Sequence, residues 1–273
     1  MRRPEEFADT RWDDPFWHVA RMVVDLRLSS GAHAQGDIMD GLVRVDSEAA
    51  NGLYAYLDVH GHLLDSLAWY LDYRHEAGAA LLAKARTEDQ ALADFAELSS
   101  EVVKRYGTQS TDHHQSSKVM VQTVAVLTEA VCLDEGLDVD VDPQKRATIV
   151  SESHIWTSPR RLDGALPSLL NPVGLWEIKE YWGGTSGGSK MSDAIYECQL
   201  VGEELRTFED TGGPRVQHYA ILDGARQWSS RQADMRRAVD LLCSGLLDEL
   251  LVGSEVMEDW PGIVRQLCTL VSR

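Results

Sequence analysis

The most chemically informative stretch is GLWEIKEYW, residues 174–182, where Glu177 and Lys179 stand two positions apart. Trp176 and Ile178 set an alternating apolar pattern. The segment therefore reads as a strand, with Glu177 and Lys179 together on the opposite face. Asp163, fourteen residues upstream in RRLDGALPSLLNP, stands where a second short strand would end beside the first. Two carboxylates and a lysine would then converge. Such a trio suits phosphodiester hydrolysis: hard carboxylate oxygens hold Mg²⁺, with Mn²⁺ as a substitute, and the ion neutralises charge on the scissile phosphate. The lysine orients or deprotonates the attacking water. Taken alone the Glu-x-Lys triplet is weak, since six lysines and 44 acids in 273 residues give about one such triplet by chance, and one occurs. Plainer readings are a cross-strand ion pair on a solvated sheet face and, for Asp163-Gly164, a turn.

The surrounding elements decide whether such residues can meet. Apolar residues at three- and four-residue spacing predict helices over Leu53–Tyr73 and His75–Tyr106, and another from Lys118 to about Gly136. Beyond Leu137 short β-like runs follow: ATIVSESHIW, RRLDGALP, GLWEIKEYW and VQHYAILD, with a helix over Ser192–Phe208 before the last of these. This order predicts an α/β chain with a mixed central sheet flanked by helices, preceded by a helical N-terminal region. The boundary is expected at residue 116, with 1–116 helical and 117–273 holding the sheet.

With Asp163, Glu177 and Lys179 in an acid, spacer, Glu-x-Lys order, the segment from about Lys118 to Asp223 resembles the PD-(D/E)xK nuclease superfamily, the fold of many restriction endonucleases. The resemblance implies a restriction-endonuclease-like core and a Mg²⁺-dependent DNA endonuclease in restriction or phage defence, with Asp163 and Glu177 binding metal and Lys179 positioning water. It also implies a glutamate on the preceding helix, for which Glu129 is the candidate, and a polar residue on the following helix, Gln199 or Glu197. Leu162 stands where the family pattern often has proline. Double-stranded DNA is the implied partner, and cutting both strands favours a homodimer. The alternative is a non-catalytic DNA-binding or protein-assembly module on the same scaffold.

Composition sets limits on these readings. The net charge is −18, from 26 basic and 44 acidic residues, and such a chain repels nucleic-acid phosphates unless its basic groups are gathered. Residues 155–191 carry four basic and three acidic groups, and two of those acids are Asp163 and Glu177. Phosphate contacts are accordingly expected from Arg160, Arg161, Lys190 and, in GARQWSSRQADMRR, Arg231. Salt bridges with Asp234 and Asp240 are the competing use of that arginine run. GGTSGGSK lacks the glycine directly before lysine that a phosphate loop needs, and His113-His114 lacks a metal-ligand spacing. No GxSxG or GxGxxG motif occurs, and the four cysteines are widely spaced, as expected for buried thiols rather than a zinc site or disulfide framework. No apolar run has the length of a membrane span, and the acidic start lacks a secretory pattern, so a cytoplasmic protein is expected.

Overall fold

A computed structural model describes residues 1–26, 35–105, 117–183 and 188–271. His113, His114 and residues 184–187 of the GGTSGGSK loop lie outside them. The chain begins with the helices α1 (Pro15–Asp25), α2 (Gln35–Arg44), α3 (Glu48–Val59), α4 (Leu63–Leu82) and α5 (Glu88–Leu98). The two long helices expected from the sequence are each divided. The first breaks around Gly61, and the second breaks before Thr87, whose hydroxyl accepts from the Gln90 amide while the Gln90 side chain accepts from the Thr87 N–H. That reciprocal cap satisfies N–H groups a new helix would otherwise leave bare.

The next elements are α6 (Val119–Glu135), β1 (Asp140–Lys145), β2 (Thr148–Val150), β3 (Ile155–Thr157), β4 (Leu162–Leu166) and β5 (Gly174–Glu180). The chain continues through α7 (Gly188–Asp210), β6 (Gln217–Asp223), α8 (Ala225–Ser230), α9 (Gln232–Cys243), β7 (Glu249–Val252) and α10 (Glu255–Val271). The central sheet has five strands in the order β1-β4-β5-β6-β7, antiparallel from β1 to β5 and parallel from β5 to β7. This is the mixed α/β sheet with flanking helices and a preceding helical region that the sequence predicts. The ATIVSESHIW segment instead folds on itself as the β2–β3 hairpin, a separate two-stranded sheet.

Every residue of β5 is buried, as befits a central strand covered on both faces. One face packs Trp176, Ile178, Tyr219 and Ile221 against Met120 and Val124 of α6 and Trp260 and Val264 of α10. The Trp260 indole N–H donates to Thr128 Oγ1 at 2.8 Å, joining the two helices. On the other face, Leu175 and Ala165 meet Val201 and Leu205 of α7. The N-terminal helices are not a separate body: Leu67, Tyr70 and Leu81 share one core with Met235, Leu242 and Leu250. Arg74 of α4 further pairs with Asp240 of α9. Asp240 is thereby withdrawn from the arginine run, to which the sequence offered it.

Candidate active site

The alternation of β5 sends Trp176 and Ile178 toward α6 and α10, and sends Glu177 and Lys179 toward α7. Glu177 is fully buried and Lys179 is 7% exposed. Lys179 Nζ donates to Glu177 Oε2 and to Glu197 Oε2, each at 2.9 Å. Glu197 comes from the α7 turn above the strand. Arg160, in the loop before β4, brings Nε to 3.4 Å from Glu177 Oε2 and also pairs with Glu197. The cluster meets solvent at these last two side chains, 27% exposed for Arg160 and 42% for Glu197.

Asp163 joins from β4, whose pairing with β5 ends at Gly164 opposite Trp176. Beyond that pair, Asp163 Oδ2 accepts the Ile178 N–H at 2.8 Å, so the carboxylate holds the neighbouring strand where backbone pairing stops. Its other oxygen accepts from Gln144 Nε2 at 2.7 Å. Gln144 is aimed there by a bulge in β1, where Asp142 and Gln144 adopt φ of 44° and 49°, a left-handed backbone rare for such residues. Asp163-Gly164 is therefore strand, not turn. The glycine leaves room for the Trp176 indole, since a Cβ at position 164 would fall 1.8 Å from its Cε2.

Behind Glu177 lies His218 of β6, also fully buried. Its Nδ1 is 3.0 Å from the Leu246 carbonyl oxygen, which only accepts, so Nδ1 carries a proton. Nε2 faces Glu177 Oε1 at 3.6 Å, and neither atom has a hydrogen-bond partner among the described residues. Burial pushes the Glu177 carboxyl upward, but Lys179, His218 and Arg160 together outweigh it and bring the pKa to about 2. For Asp163 burial dominates over Lys179, the Ile178 N–H and Gln144, and its pKa is raised. Burial works against the Lys179 ammonium, yet Glu177 holds its pKa above the ordinary value. Lys179 is thus a fixed cation at neutral pH, suited to orienting a water or a phosphate oxygen and unsuited to removing a proton.

Of the residues expected from the sequence, Asp163, Glu177, Lys179 and Glu197 are brought together. Arg160 enters the carboxylate cluster instead of presenting its whole guanidinium to solvent. Arg161 and Lys190 are exposed. Glu129 stays outside: it is exposed on α6, which covers the Trp176 and Ile178 face, the wrong side of the sheet for Glu177. Gln199 also stays outside, donating to Glu203 one helical turn along α7 at 2.7 Å. Arg231 donates to Asp234 Oδ2 and Ser192 Oγ, both at 2.7 Å. The participation of Gln144 and His218 was not anticipated. The alternation of His218, Ala220 and Leu222 along VQHYAILD carries the only sequence hint of His218's facing.

Asp163, Glu177 and Glu197 supply the hard carboxylate oxygens that a divalent cation takes; both Asp163 oxygens and Glu177 Oε2 are held by protein donors, and Glu177 Oε1, without a hydrogen bond, faces His218. Among the described residues no group of three or more His, Cys, Asp or Glu side chains is gathered as a ready ligand cage. Mg²⁺ often takes only one or two protein carboxylates, with water and substrate phosphate completing its shell.

A family model described as Domain of unknown function (DUF7687) matches residues 86–267. The chain belongs to that family. The DUF7687 match spans about two thirds of the chain and takes in every strand and every residue of the cluster, while α1 to α4 precede it. No curated protein and no solved structure matches the chain. Among the described residues no helix is long and apolar enough to cross a membrane.

Proposed function

We propose that this protein is a Mg²⁺-dependent DNA endonuclease of the PD-(D/E)xK type, serving in restriction or phage defence. The observation that carries the reading is the buried Glu177–Lys179 pair on one face of a central strand, with Asp163 entering from the antiparallel neighbour. Asp163 and Glu177 would hold the ion, which supplies neutralisation of the developing phosphate charge and a more acidic bound water. The chain's own side chains do the rest. The Lys179 ammonium orients the attacking water, Glu197 keeps that ammonium in place, and Arg160 offers its solvent-facing edge to a phosphate oxygen. Gln144 fixes the Asp163 carboxylate from behind, and the buried His218 ring backs Glu177. The same reading puts the enzyme in the cytoplasm, acting on double-stranded DNA as a homodimer.

A second reading rests on a specific observation: Glu177 is already neutralised by Lys179 and Arg160, so the cluster also works as a structural ion network in a non-catalytic DNA-binding or assembly module. Thermal unfolding with and without Mg²⁺ or Mn²⁺ separates the two. The nuclease reading expects a stabilisation that depends on metal concentration and disappears in the Asp163→Asn variant. An identical melting temperature with and without metal, in both proteins, would favour the scaffold.

A further inference from the structure

Outside the carboxylate cluster, the strongest unassigned feature is an open cavity of about 440 Å³ at the first turn of α9, lined by Ser229, Ser230, Gln232, Arg231 and Arg237 over Asp234. Asp234 is 1% exposed, and its oxygens accept from Arg231 Nε at 2.7 Å, Arg237 Nη1 at 2.8 Å and the Ser192 hydroxyl. A buried carboxylate in this position braces two guanidinium groups and leaves their remaining N–H donors turned to a partly open surface. Their side chains are 37% and 44% exposed. Two arginines and one aspartate give the cavity a local charge of +1, set in a chain of net −18. The positive end of the α9 dipole adds to that sign.

One ring contact ties the cavity lining to α7, the helix that carries Glu197. The Arg237 guanidinium carbon lies 5.9 Å from the centre of the Tyr196 ring, and Tyr196 directly precedes Glu197 on α7. Tyr196 is 53% exposed and Leu200, one turn later on the same helix face, is 47% exposed. With Arg237 over one face of the half-exposed Tyr196 ring, a nucleotide is held by a base on the ring's outer face and a phosphate on the braced arginines. Paired bases in a duplex do not present a free face to such a ring.

We infer that the Arg231–Arg237 pair and Tyr196 form a nucleotide subsite that takes a backbone phosphate and an unpaired base, a single-strand contact separate from the duplex that the nuclease reading has the enzyme cut. The inference goes beyond the nuclease reading, and its test requires no cleavage. Fluorescence anisotropy with a labelled single-stranded oligonucleotide and with its blunt duplex, in EDTA and over a range of salt, compares the full chain with Tyr196→Ala, Arg231→Gln and Arg237→Gln. The single strand is expected to bind more tightly than the duplex. Tyr196→Ala should weaken single-strand binding about tenfold or more, and each arginine variant should lower the salt slope by about 0.7. Tyr196 is exposed, so its variant remains informative if an arginine variant disturbs Asp234. Unchanged single-strand affinity in Tyr196→Ala, or unchanged salt slopes in both arginine variants, would overturn the subsite whether or not the protein cuts DNA.

Discussion

Replacing Lys179 with methionine removes the main cation from a fully buried carboxylate and keeps nearly the same side-chain length. Glu177 then retains Arg160 Nε at 3.4 Å and His218 Nε2 at 3.6 Å, whereas its 2.9 Å bond to Lys179 is gone. Breaking a buried ion pair from one side costs about 3–5 kcal/mol, and the remaining Arg160 guanidinium puts this case near the lower end. Losing the Lys179 bond to the half-exposed Glu197 adds little. In a chain of this size, about 3 kcal/mol lowers the melting temperature by roughly 6–12 °C. Replacing both residues, Lys179→Met with Glu177→Leu, removes the stranded charge and should recover to within about 1 kcal/mol of the native protein. Denaturant unfolding followed by tryptophan fluorescence completes the double-mutant cycle. A Lys179→Met cost below about 1 kcal/mol, or a double variant as unstable as the sum of the singles, would refute the buried pair.

Two further outcomes follow from the same geometry. The Glu177 pKa is depressed from 4.5 to about 2 by its cationic neighbours, so its stabilising contribution is complete above about pH 4.5 and is lost as pH falls toward 2. Roughly 3 kcal/mol of acid sensitivity in that window should vanish in Glu177→Gln, and an identical acid profile in both proteins would contradict the shift. Gly164→Ala would drive a methyl into the Trp176 ring and should cost roughly 1–3 kcal/mol in denaturant unfolding, whereas a loss under about 0.5 kcal/mol would show that the strands separate more easily than their packing indicates.

Much of the architecture was legible because it is written in local periodicity. The alternation in GLWEIKEYW fixes which side chains share a face, and the apolar run from Val119 gives α6. The two edge strands were not anticipated, for different reasons. β1 contains Asp140, Asp142 and Pro143, poor strand formers held in place by pairing with β4, and β7 is only four residues long beside helical neighbours. The Thr87 and Gln90 signature that divides the second expected helix was present in the sequence, hidden within a continuous apolar pattern. In the cluster, Glu177 and Lys179 follow from strand geometry, but Arg160, Gln144 and His218 depend on strand register and on a bulge, which sequence spacing does not encode. Glu129 illustrates the converse. A helix preceding the sheet was correctly expected, but only tertiary packing decides that it covers the Trp176 face.

The most direct measurement of the central proposal is supercoiled-plasmid cleavage in Mg²⁺ or Mn²⁺ by the native chain, Glu177→Gln and Lys179→Met, each assayed below its own melting temperature. Nicking or cutting by the native protein that is lost in EDTA and falls at least a hundredfold in both variants is the expected result. Cleavage that persists in both variants would contradict a Glu177–Lys179 nuclease site.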